Sequence, residues 1–164
     1  MNKAQFRKQI LEQRKALALS HPQAATRAAS FLPEEVLVPS GIVGACIPMG
    51  SEIDPGPTLA HFEKKLWQVA MPHPDHKTPV FMDDGGQEVV PDLVLAPLLG
   101  YDDTGTRLGR GGGWYDRAIR AARDHKHCPM IGLAFAGQKL DRIPREDHDV
   151  PLDGLLTETG FRWF

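Results

Sequence analysis

Residues 92–117 read DLVLAPLLGYDDTGTRLGRGGGWYDR, and the fold is decided in this stretch. Asp92 to Leu99 is a short, nearly unbroken apolar run, the pattern of a parallel strand buried on both faces. Gly100 to Gly113 is a loop with glycines at 100, 105, 109, 111, 112 and 113. From Trp114, WYDRAIRAARDH spaces Ala, Ile and Arg as a helix does, so a helix is expected to begin there.

A buried strand, a glycine-rich basic loop and a helix start together suit phosphate. Glycines let backbone N–H groups converge on an anion, and the free amides of a first helical turn point the same way. Arg107 and Arg110 add planar, permanently charged donors. The named motifs do not fit. A P-loop needs Gly-Lys followed by Ser or Thr, and a dinucleotide fingerprint needs a third glycine where Trp114 stands. On the residues alone two readings stay open, a phosphate or nucleotide loop and a flexible surface loop.

The rest of the chain bounds the class. Its 164 residues favour one domain, spanning 1–164, with enough length for a real core. Hydrophobic content of 41% and charged content of 24% are ordinary for a globular protein. A net charge of −2 supplies no global basic field, so an anion site must be local, and neither nucleic acid nor a membrane is expected as a partner. Cys46 and Cys128 sit apart in apolar runs and read as buried, reduced residues, which suits a cytoplasmic protein. No apolar run reaches membrane-spanning length, and MNKAQFRKQ has no signal-peptide core.

Residues 2–19 read as an amphipathic helix with Phe6, Ile10 and Leu17 on its apolar stripe. Lys3, Arg7 and Arg14 fall within about 40° of one another at 100° per residue. Spacing alone allows a solvated basic face. A second helix is expected over 22–32 and a strand over 41–49. Thr58 is expected to cap a helix with Leu59, Phe62 and Leu66 inward. Strands at 68–71, 129–135 and near 154 complete a mostly parallel sheet flanked by helices, a Rossmann-like three-layer α/β architecture with helices after its first three strands. Glu52 lies in the loop GSEIDPGP at a strand's carboxyl end, where open α/β sheets bind ligands. Taken alone, a loop carboxylate is a solvated group. His73 and His76 have no third ligand nearby, and prolines break their spacing, so a metal pair there is not expected.

The string PDLVLAPLLGYDDTGTRLGRGGGWYDR resembles the signature of the 5-formyltetrahydrofolate cyclo-ligase family, with Trp114 where the family has Tyr or Phe. GSEIDPGP and DHDVPLDGLLTE resemble two further motifs of that family. The resemblance implies that ATP is held by Lys3, Arg7, Arg107, Leu108, Gly109, Arg110, Gly111, Gly112, Gly113, Trp114 and Tyr115. Arg14 matches a frequent basic position. Glu52 would contact the folate, with Ile47 as an apolar wall, and Asp116 and Asp153 would hold Mg²⁺. Between Pro74 and Val80 the chain is compressed relative to the family, which implies a reduced lid over the pterin or a missing segment.

The implied reaction closes 5-formyltetrahydrofolate to 5,10-methenyltetrahydrofolate at the expense of ATP. Such chemistry asks a protein for positioning and charge stabilisation, with Arg107 and Arg110 as the catalytic cations. No Ser–His–Asp or Cys–His set stands out. The expected partner is a reduced folate, with the chain a monomer or weak dimer. The competing readings are a nucleotide- or folate-binding protein without catalysis and an ATP-dependent enzyme for another small substrate.

Overall fold

The computed structural model describes residues 2–73 and 79–164. The compressed stretch expected to bear on the folate lid, and His76, fall largely or wholly on 74–78 and so lie outside the described residues.

In chain order the elements are α1 (Lys3–Ser20), α2 (Ala24–Ser30), α3 (Glu34–Leu37), β1 (Ile42–Gly44), α4 (Gly56–Lys64) and β2 (Gln68–Pro72). A hairpin of β3 (Phe81–Met82) and β4 (Glu88–Val89) follows, then β5 (Leu93–Pro97). A second hairpin, β6 (Gly100–Tyr101) and β7 (Arg107–Leu108), leads to α5 (Trp114–Arg123). The chain closes with β8 (Met130–Leu133), a 3-10 turn at Ala136–Gln138, β9 (Gly154–Thr157) and β10 (Gly160–Trp163).

The main sheet runs β10-β9-β8-β5-β1-β2-β3-β4. Its five central strands are parallel, while β10, β3 and β4 are antiparallel additions at the edges. Alternation along the central strands builds two cores, as period-two side chains must. Val43, Leu93, Leu95, Ile131 and Leu133 face one way, onto Ala28, Leu59 and Phe62 of α2 and α4. Val94, Ala96, Met130 and Leu155 face the other way, onto Ala118, Ile119 and Ala122 of α5. The three expected layers are therefore present.

Sequence pattern explains most elements. α1 starts at an Asn2–Gln5 capping box, in which each side chain accepts from the other residue's backbone N–H. α5 starts at Gly113, whose φ of 66° is left-handed and suits glycine, and it ends on Arg120 and Arg123, cations favoured by the helix dipole.

Three local expectations are corrected. α4 begins at Gly56, with prolines at 55 and 57, so Thr58 is a buried residue within the helix and caps nothing. Leu66 is 86% exposed with φ 64°, because the chain turns there to bring Trp67 inward. β2 is followed by the antiparallel β3–β4 hairpin and not by a helix, since the apolar residues after it come in short pairs flanking Asp83 to Gly86.

The chain leaves β1 toward β2 on one side and later places β5 on the other. That reversal of strand order is the topological switch point, and ligands of open α/β sheets bind outside its carboxyl ends.

Candidate active site

A cavity of about 800 Å³ opens at that point, a volume suited to ligands of nucleotide or cofactor size. Four parts of the chain meet around it: α1, the loop after β1, the glycine loop and the segment before β9. Ile47, Glu52, Arg107 to Tyr115 and Asp116 all line it, as do Lys3 and Arg7. Each site residue expected from sequence is thus at this cavity except Asp153.

The glycine loop is more built than a flexible strap. Its first half is the β6–β7 hairpin, closed around the Asp102 carboxylate. Asp102 accepts from the Thr104 hydroxyl at 2.7 Å and from the backbone N–H groups of Thr104, Thr106 and Ile143 at 2.9, 3.2 and 2.9 Å. Burial pushes this carboxyl up, but the hydrogen bonds outweigh it and hold it below the usual range. At the hairpin tip a Cβ on Gly105 would stand 2.8 Å from the Leu152 carbonyl, so only glycine fits. Leu108 is buried against Ile10 and Ile143, which pins the loop's root to α1.

Beyond that root three of the loop's carbonyls have protein donors. Arg7 Nε donates to Gly109 O at 2.8 Å and Arg117 Nη1 to Gly112 O at 2.6 Å, while the Gly113 carbonyl starts α5. Among the described residues, the N–H groups of 109–113 donate to no protein acceptor. The first turn of α5 adds its own unpaired amides. Arg107 projects from β7 to Asp116 at 3.0 Å, with its Nε buried and without a hydrogen bond among the described residues. Unpaired backbone donors beside Arg107, Arg110, Arg7 and Lys3 form a cradle for anionic oxygens.

Two carboxylates frame the opposite wall. Asp149 pairs with Lys3 at 2.5 Å and accepts from Glu146 N–H at 2.8 Å. Burial alone would raise its carboxyl, and these donors bring it below its ordinary value. Asp116 accepts from Val150 N–H at 2.9 Å, so the two aspartates are tied through adjacent residues of one segment. Glu146, His148 and Asp149 bring one potential ligand atom each to within 4.8 Å of one another.

Asp153, expected beside Asp116, does not line the cavity. Asp153 Oδ2 accepts from Met130 N–H at 2.7 Å and pairs with Arg123 at 2.8 Å, at the foot of β8 and the last residue of α5. Asp116 sits in the first turn of that ten-residue helix, whose length is about 15 Å. The segment from Asp149 to Asp153 crosses from the sheet's carboxyl edge to its amino edge, so Asp149, and not Asp153, faces the cavity with Asp116.

Glu52 lies on the other side of the glycine loop. Its Oε2 accepts from Met49 N–H at 2.9 Å, and Oε1 lies 3.3 Å from Arg110 and 3.7 Å from Arg14. Ile47, half exposed, contributes apolar wall. The nearby Cys46 thiol is pushed up to about 12 by burial, with Glu52 and Asp54 adding to the effect, so it stays protonated and is no nucleophile. Burial raises Tyr115 as well, and its hydroxyl donates to Ala45 O at 3.2 Å.

Fold and cavity together define a three-layer α/β domain with an anion cradle at the switch point of its sheet. Residues 84–158, which carry the glycine loop, Asp116 and Asp149, match the sequence model of the 5-formyltetrahydrofolate cyclo-ligase family. The 5-formyltetrahydrofolate cyclo-ligase of Haemophilus influenzae is 39% identical over 74 residues, 43% of this chain and 39% of that protein. The probable 5-formyltetrahydrofolate cyclo-ligase of Caenorhabditis elegans is 30% identical over 130 residues, 76% of this chain and 60% of that protein. These matches therefore span less than two thirds of the relatives' own length. A solved 5,10-methenyltetrahydrofolate synthetase from Mycoplasma pneumoniae superposes with a TM-score of 0.80 at 24% identity, covering 96% of this chain and 99% of that one. That likeness is one of fold. Lys3, Arg7, Ile47 and Glu52 lie before residue 84, so their place in the site rests on geometry.

Proposed function

We propose that this chain closes 5-formyltetrahydrofolate to 5,10-methenyltetrahydrofolate, with ATP as phosphoryl donor. The observation that carries the reading is the glycine loop, whose residues, with amides free of protein acceptors among the described residues, line with flanking cations a cavity that Glu52 also lines. The N5-formyl group is an amide, and its carbon resists attack by N10. Transfer of the γ-phosphoryl group to the formyl oxygen breaks the bond to ADP and leaves the carbon electrophilic. N10 then attacks it, gives up its proton, and phosphate leaves with the former formyl oxygen.

The protein's part is to position and to balance charge. Amides of 109–113 and the start of α5 receive phosphate oxygens, and Arg107 and Arg110 stabilise charge on the group in flight. Lys3 and Arg7 bring α1 onto the nucleotide side. Glu52 accepts from N–H donors of the pterin, and Ile47 covers one edge of the ring. Mg²⁺ is a hard ion that takes oxygen ligands, and the carboxylates of Asp116, Asp149 and Glu146 on the phosphate side fit it. When bound it would neutralise phosphate charge. Leu108 and Tyr115 shape the loop, and Trp114 packs edge-on against Phe81 and Tyr115 at the cavity wall.

ADP release, followed with and without 5-formyltetrahydrofolate, tests the coupling. Release only in the presence of the folate is expected. Release at the same rate without it would mean that another acceptor is the substrate.

A further inference from the structure

Arg14 is fully buried, an unusual place for a guanidinium. It leaves α1 beneath the loop after β1, where Nε donates to Ser51 Oγ at 3.0 Å and Nη1 to Leu98 O at 3.3 Å. Nη2 is buried without a hydrogen-bond partner among the described residues. Burial pulls its pKa down, and the Glu52 carboxylate opposes that. A charge so placed carries a desolvation cost that a leucine or methionine would not. Packing alone therefore gives no reason for an arginine here.

Its neighbour gives one. The Glu52 side chain is only 8% exposed and sits between two cations, Arg14 below and the half-exposed Arg110 above. Arg110 also donates to Met49 O at 3.3 Å, on the same loop. In the proposed reaction Arg110 belongs to the phosphates, and once it turns to them Glu52 keeps a single cation. The Met49 N–H is its remaining donor, and the protonated Cys46 and Tyr115 carry no charge to compensate it.

We infer that Arg14 is a positioning residue for the folate half of the site, holding the Glu52 carboxylate aimed into the cavity while Arg110 serves the nucleotide. The inference rests on the proposed function. Through Ser51, Leu98 and Glu52, the one side chain fixes the loop after β1 against the end of β5, the two strands that flank the switch point.

The test is equilibrium binding of 5-formyltetrahydrofolate and, separately, of Mg-ATP. The proteins are wild type, Arg14→Met, Arg14→Lys, Glu52→Gln and the Arg14→Met/Glu52→Gln double variant, each with a thermal melt. Arg14→Met is expected to weaken folate binding by roughly 10- to 100-fold and to leave Mg-ATP within about twofold. Arg14→Lys should recover part of the loss, and Arg14→Met should add little on Glu52→Gln, because the two act through one carboxylate. Unchanged folate affinity in Arg14→Met, equal loss of both ligands, or additivity in the double variant would each overturn the role. Should Arg14→Met not fold, the same cycle is run with Arg14→Lys, where additivity is again the contrary result. A wild type that binds no folate would instead overturn the proposed function, and this inference with it.

Discussion

Among single residues, Arg110 and Asp149 carry the sharpest consequences. Arg110 stands between Gly109 and Gly111 and, among the described residues, its side chain is tied only to Glu52 and Met49 on the neighbouring loop, so it can turn to phosphate without breaking the fold. Arg110→Ala is expected to keep its melting temperature and lose roughly 10²- to 10³-fold in turnover. Near-normal steady-state rates would remove Arg110 from the reaction. Asp149→Asn and Asp153→Asn separate the two aspartates of DHDVPLD. The first should raise the Mg²⁺ concentration needed for half-maximal rate, and the second should leave it unchanged while lowering stability through Arg123 and Met130. The opposite assignment would restore Asp153 as the ligand. The motif resemblance named Asp153, and only the direction of the chain across the sheet tells which of the two reaches the cavity. Arg14 was equally hidden. Its spacing with Lys3 and Arg7 placed it on the right face of α1, but helical spacing says nothing of depth.

At the level of elements, the β6–β7 hairpin is what turns a glycine-rich string into a shaped loop. It sets Arg107 toward Asp116 and buries Leu108, and Asp102 closes it. Asp102→Ala leaves buried N–H groups of Thr106 and Ile143 without their acceptor and is expected to cost about 3 kcal/mol in denaturant unfolding. The folded carboxyl titrates below its unfolded value of about 3.9. Its contribution is therefore complete above about pH 4 and fades as pH falls through the folded value. Wild type and variant should accordingly converge in stability only in that acid range. A constant gap down to pH 2 would assign the effect to packing. The Asp-Asp-Thr-Gly sequence at this hairpin carries turn chemistry, yet the glycines that follow drew the whole of 100–113 into a loop reading. The central strands were legible because each is a short apolar run between turn residues. Leu66 was misplaced because the helical period was carried past the point where the chain leaves α4.

For the molecule as a whole, the switch point between β1 and β5 explains why segments distant in sequence share one cavity. Three of the four walls are brought there by parallel strands that end on the same edge, and α1 completes the fourth through Arg7 on Gly109 and Lys3 on Asp149. The order of strands across the sheet could not be read from the chain, whereas the layer pattern could, since alternation within β5 and β8 names two buried faces. The central claim is that anion cradle and Glu52 pocket act on one substrate pair. Purified protein is mixed with Mg-ATP and 5-formyltetrahydrofolate, and the near-ultraviolet absorbance of the methenyl product is followed. The account predicts growth of that band only when ATP is present, in step with ADP. A flat trace from a folded protein that binds both ligands would contradict it.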